Sequence, residues 1–137
     1  MAGTIFLDAS GWFAALSPRD QWHAPAVRAY TEETRRGATF ITTTLVLAEV
    51  HALLLRWRDP ATGRRFLDAA FGTPSHTIIA PDMELTRAAI DTWIGGFADQ
   101  AFSVCDAVSF ELMRRERIAR ALAFDQHFAI AGFALVD

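Results

Sequence analysis

Lysine is absent from this chain of 137 residues, so all 13 of its basic side chains are arginines. Without lysine it cannot complete a phosphate-binding loop of the Gly-x-x-x-x-Gly-Lys-Ser/Thr type, which excludes a P-loop nucleotide hydrolase. Cysteine is nearly absent as well. The one thiol, Cys105, can form no internal disulfide, which fits a reducing cytoplasm. The four histidines, His23, His51, His76 and His127, show neither the paired spacing of a zinc site nor a nucleophile to activate. Long apolar runs are also missing. Thr4 to Leu7 is too short for a signal-peptide core, Asp8 interrupts it, and no later segment approaches a membrane span, so a soluble protein without membrane association is expected. No repeat, low-complexity stretch or Gly/Ser linker divides the chain, and one domain over residues 1–137 is expected.

Hydrophobic residues make up 52% of the chain, enough for a proper core, and the net charge is −3. That balance argues against a generally basic nucleic-acid-binding surface. The arginines nevertheless cluster, at 35–36, 56 and 58, 64–65, and 114, 115, 117 and 120. Guanidinium groups suit phosphate recognition, but such runs also occur as solvated helix faces. Charge alone leaves the partner open.

Short apolar runs alternate with longer amphipathic stretches, which is the rhythm of an α/β domain. Strands are expected at Thr4–Leu7, Thr39–Ile41, His76–Ala80, Ala121–Phe124 and Ala134–Val136. Helices are expected from Ser10 to Leu16, Ala24 to Arg36, Thr43 (as cap) to Trp57, Ala61 to Phe71, after Pro81-Asp82 as far as Gly95-Gly96, and Ser103 to Glu116. Five strands separated by helices imply a parallel sheet with helices on both faces.

Four acidic residues, Asp8, Glu49, Asp106 and Asp125, stand where strand-like runs end or in helices close to such ends. In an open parallel sheet, groups at those places converge although they are distant in sequence. Unpaired carboxylates in one cleft repel each other, and a divalent cation is the simplest way to keep all of them ionised. Each has a plainer reading. Asp8 also suits a helix cap, and Asp106, three residues after Ser103, suits a capping box. Asp125 also suits a cap for the turn Gln126–Phe128. Glu49 lies in a helix that is apolar almost all round, where an ionised carboxylate needs a partner or a metal. Asp99, after a Gly-Gly turn, is a further candidate for the same cleft. His51 reads as packed or as a phosphate neighbour. The tryptophans Trp12, Trp22, Trp57 and Trp93 read as core or interface residues, with Trp12 also placed to line a partner groove beside Asp8.

Taken together, Phe6-Leu7-Asp8-Ala9-Ser10, the helix carrying Thr43 and Leu47-Ala48-Glu49-Val50, Phe102-Ser103-Val104-Cys105-Asp106-Ala107-Val108-Ser109-Phe110 and Ala123-Phe124-Asp125-Gln126-His127-Phe128 resemble a PIN domain, most closely the VapC-type toxins of toxin–antitoxin pairs. The resemblance implies a three-layer α/β sandwich with a central parallel sheet of about five strands. It also implies that Asp8, Glu49, Asp106 and Asp125 form the catalytic, metal-holding set for Mg²⁺, with Mn²⁺ able to substitute, and that Ser10 and Ser103 support it. The implied partners are an RNA substrate, a cognate small antitoxin and a second copy of the chain in a homodimer. The chain departs from many relatives at Ala123, where they carry threonine two residues before the last aspartate.

Such a site implies an endoribonuclease in which metal-activated water cuts the phosphodiester and leaves 5′-phosphate and 3′-hydroxyl ends. Receiver domains and haloacid-dehalogenase-like phosphatases share an aspartate at the end of the first strand, but both use a lysine that this chain does not have. The alternative is a module of the same fold that binds RNA or protein without cutting. Four intact acidic residues count against it.

Overall fold

The computed structural model describes residues 3–136. Its five strands are β1 (Thr4–Leu7), β2 (Thr39–Thr43), β3 (His76–Ile79), β4 (Arg120–Leu122) and β5 (Ala134–Leu135). They form one parallel sheet in the order β3-β2-β1-β4-β5. The chain builds outward from β1 to β3 and then returns to place β4 on the other side of β1. The strand order therefore reverses between β1 and β4, the place where open parallel sheets form their functional crevice.

The helices are α1 (Ala9–Leu16), α2 (His23–Arg35), α3 (Thr44–Trp57), α4 (Pro60–Gly72), α5 (Met83–Ala89), α6 (Val104–Arg115) and α7 (His127–Ile130). They pack in two groups, α1 to α4 and α5 to α7, which with the sheet give three layers. No helix among the described residues is long and apolar enough to cross a membrane.

Most element boundaries follow from local chemistry. Asp8, Thr43, Asp59, Asp82 and Ser103 each accept a backbone N–H of the first turn that follows, so helices begin where an Asp, Thr or Ser side chain replaces the missing intrahelical partner. Pro60 occupies the first turn of α4, where its absent N–H costs nothing. Gly37 ends α2 at φ 87°, a conformation that glycine adopts without strain. The helix α5 runs on into a π-helical turn, Ile90–Ile94, closed by the Gly95 amide on the Ile90 carbonyl at 2.9 Å.

One boundary differs in a way that bears on function. The strand expected over Ala121–Phe124 ends at Leu122. The Phe124 amide instead donates to the Ser10 hydroxyl at 3.0 Å, so the chain leaves the ladder early and carries Asp125 beyond the sheet edge.

Phe6, Phe40, Phe110 and Phe128 are fully buried at the centre of the core. Phe110 packs edge-on to Phe128, at 4.9 Å between ring centroids, and to Phe102 at 5.0 Å. Trp12 is buried too, edge-on to Phe66 at 5.3 Å and to His76 at 5.7 Å, so it belongs to the core and not to a groove. Trp93 is buried and donates its indole N–H to Glu111 at 3.1 Å. Trp22 and Trp57 face solvent, 44% and 64% exposed.

Several arginines of the clusters have structural partners. Arg114 and Arg115 both bind the buried Glu111, and the Arg114 guanidinium, followed by burial working against it and then Arg115, sets its pKa at about 2. Arg115 also reaches Glu84 at 2.7 Å, and Arg120 pairs with Glu33 at 2.8 Å. Among the described residues, Arg19, Arg56 and Arg58 make no ion pair.

Candidate metal centre

Asp8 follows directly on β1 and caps α1 in extended backbone, φ −89° and ψ 163°. One carboxylate oxygen accepts the Ser10 amide at 3.2 Å and the Ser10 hydroxyl at 2.8 Å. The residue is 4% exposed. Burial pushes its pKa up to about 6, against the pull of the Ser10 hydrogen bonds, and the charge of Asp106 adds to the rise. Ser10 is the hub of this corner. Its hydroxyl donates to Asp8 and accepts the Phe124 amide, tying the end of β1 to the loop that carries Asp125.

Glu49 sits in the second turn of α3, a helix anchored by Thr43 at its N-cap. It is exposed, not enclosed as its apolar neighbours suggested. The exposed side of α3 carries Ala48, Ala52 and Leu55, while Val46, Val50 and Leu54 face the core, so apolar residues on both faces concealed the orientation. Partial desolvation raises the pKa of Glu49, and the charges of Asp8, Asp106 and Asp125 raise it further. The four carboxylates thus act on one another.

Asp106 holds the third position of α6 in a complete capping box. The Ser103 amide donates to its carboxylate at 3.1 Å, and its own amide donates to the Ser103 hydroxyl at 3.0 Å. Capping leaves the carboxylate free for a second contact. His127 Nδ1 lies 3.0 Å from the same Asp106 oxygen and 3.4 Å from Asp125. Asp125 in turn accepts the His127 amide at 2.8 Å. Asp106, Asp125 and His127 can each bring one ligand atom within 4.8 Å of the other two.

His127 is the residue that sequence reasoning passed over. Its only local signal was its position two residues after Asp125; the contact with Asp106 depends on the fold, as does the edge-on seat of its ring on Phe102 at 5.3 Å. Asp99, the further candidate, lies exposed in the turn before Phe102. Cys105 is near the acidic groups without being a nucleophile. Burial, and then the charges of Glu49, Asp8 and Asp106, push its pKa to about 12 and keep the thiol protonated.

The donor set is mainly carboxylate oxygen with one imidazole, which suits a hard divalent cation better than zinc or copper. Burial at Asp8 and mutual repulsion at Glu49 both favour positive charge in the cleft.

Known proteins resemble the chain over nearly its whole length. Over 135 residues the chain is 31% identical to the 23S rRNA-specific endonuclease VapC20 of Mycobacterium tuberculosis, covering 96% of this chain and 97% of that protein. The crystal structure of M. tuberculosis VapC20, a sarcin-ricin loop cleaving toxin, matches with a TM-score of 0.86 at 27% identity, covering 95% of this chain and 96% of that one. VapBC2 from Rickettsia felis bound to a promoter DNA fragment and FitAcB from Neisseria gonorrhoeae share the fold, each at a TM-score of 0.67, with 14% and 13% identity. The first covers 96% of both chains, and the second 97% of this chain and 96% of that one. The PIN domain profile matches residues 5–134. By sequence, fold and topology alike, the chain belongs to the PIN domain family.

Proposed function

We propose that this protein is a metal-dependent endoribonuclease and the toxin of a type II toxin–antitoxin pair, working in the cytoplasm as a homodimer. The observation that carries the reading is the meeting of carboxylates from four separate segments, with Glu49 in the field of the other three and Asp106 and Asp125 sharing His127. Identity of 31% to a 23S rRNA-specific endonuclease supports RNA as the substrate. Asp8, Glu49, Asp106 and Asp125 would hold Mg²⁺, with Mn²⁺ able to substitute. When bound, such a cation neutralises charge developing on the phosphoryl oxygens and lowers the pKa of a water.

The protein's own groups do the positioning. Ser10 locks Asp8 to the Asp125 loop, Ser103 fixes the Asp106 carboxylate, and His127 spans Asp106 and Asp125. Attack on phosphorus comes from water, not from the ribose 2′-hydroxyl, and yields 5′-phosphate and 3′-hydroxyl ends. Digestion of total RNA, ribosomes included, tests the reading. Discrete cuts in ribosomal RNA are expected with Mg²⁺ or Mn²⁺ and none after chelation. Intact RNA in every condition would overturn the assignment.

A toxin needs a partner that silences it. Phe13, Pro18 and Trp57 line a surface cavity of about 630 Å³ at the C-terminal ends of α1 and α3, together with Arg19, Arg58 and the single acidic residue Asp20. An apolar antitoxin segment with flanking acidic residues matches that lining. Trp57→Ala is expected to weaken antitoxin binding about tenfold or more with little change in melting temperature, since the side chain is exposed. Trp12→Ala is expected to act differently, costing about 3–5 kcal/mol of stability as a buried aromatic truncation. Titration calorimetry and thermal melts separate the two effects.

A further inference from the structure

We infer that Trp22 is a stacking platform for one unpaired nucleobase beside the scissile phosphate, an inference that rests on the ribonuclease reading above. Its indole lies parallel to the Phe124 ring, with 5.3 Å between centroids and 6° between planes. Phe124 stacks on one face, and Trp22 is still 44% exposed, surface on which a base could stack. Among the described residues Trp22 has no second aromatic partner and its indole N–H has no acceptor.

The plane is held in place from both sides. The Trp22 amide donates to Asp20 at 2.8 Å, and the next residue, His23, sets Nδ1 2.9 Å from the Ala14 carbonyl of α1. Phe124 is fixed by the hydrogen bond its backbone N–H donates to the Ser10 hydroxyl, which itself donates to Asp8, and it immediately precedes Asp125. The platform is therefore two hydrogen bonds from Asp8 and one residue from Asp125. A rigid, partly exposed aromatic plane, beside a site that cuts phosphodiesters, has the geometry to receive a base splayed out of an RNA loop.

The test uses a labelled synthetic hairpin carrying the cleavage site mapped by the total-RNA digestion, with binding followed by fluorescence anisotropy in Ca²⁺. Trp22→Ala is expected to lower affinity roughly five- to hundredfold, the range for removing one stacked base, while Trp22→Phe retains most of it. The same hairpin is then made abasic at each loop position in turn. At one position the abasic RNA should bind the parent and Trp22→Ala equally weakly, because the stacking partner is already gone. An unchanged affinity in Trp22→Ala, or an equal further loss on every abasic RNA, would overturn the platform and leave the ribonuclease reading standing. Absence of a cleavage site or of RNA binding by the parent would overturn both.

Discussion

Asp8→Asn is expected to reduce metal-dependent RNA cleavage by more than about a hundredfold, since loss of a group that merely supports a metal ligand already costs 10- to 100-fold. The same variant is expected to be more stable than its parent when no metal is present. Burial raises the Asp8 pKa from 3.8 to about 6, so between those values the folded state holds a proton that the unfolded state has released. Stability from this group therefore falls as pH rises through that window, and the penalty is complete above about pH 6. Asparagine carries no such penalty. At pH 7.5 in chelator the variant should gain on the order of 2–3 kcal/mol, less whatever its amide loses in hydrogen bonds to Ser10. The gain should vanish as the pH approaches 4. Added Mn²⁺ should raise the melting temperature of the parent and not that of the variant. Melts at the two pH values with and without metal check all of this. A variant that melts lower at pH 7.5 in chelator would contradict the electrostatic account.

Gly11→Ala is expected to damage both the fold and the site. Gly11 lies in the first turns of α1 directly against β4, and a Cβ there would sit inside the van der Waals surface of the Leu122 carbonyl oxygen and 2.6 Å from Leu122 Cδ2. The neighbour is largely backbone of a central strand, which has no room to yield. Overpacking of this kind costs about 3 kcal/mol, a fall in melting temperature on the order of 10 °C. Relief by moving α1 away from β4 would stretch the Ser10–Phe124 bond and part Asp8 from the Asp125 loop. Activity should fall even below the melting transition. Gly72→Ala is the control, because a Cβ there meets nothing within 4 Å and α4 should tolerate it. Thermal melts and cleavage rates of the two variants decide; a Gly11→Ala protein as stable and active as Gly72→Ala would refute the close approach.

The fold was legible where local chemistry is self-sufficient. Asp8, Thr43 and Ser103 announce helix starts from sequence alone, and strands such as Thr4–Leu7 stand out as apolar runs between caps and turns. The placing of Asp106 in a capping box was readable in the same way. Features that depend on two distant segments were not. Strand β4 ends early because Phe124 finds Ser10, and His127 reaches Asp106 only once α6 and α7 are packed. Among the tryptophans, α1 is apolar nearly all round, so no periodicity separated the buried Trp12 from the half-exposed Phe13. Trp22 gave no sign that its ring would stack on Phe124, 102 residues away.

The chemistry of the new RNA ends tests the central claim most directly. Water attack arranged by the acidic cluster leaves a 5′-phosphate and a 3′-hydroxyl, whereas attack by the ribose 2′-hydroxyl leaves a 2′,3′-cyclic phosphate. Digestion by the parent in Mg²⁺ should produce discrete fragments that ligate directly through 5′-monophosphates, and the Asp8→Asn protein should produce none. Cyclic phosphate termini, or the same fragments from Asp8→Asn, would contradict it.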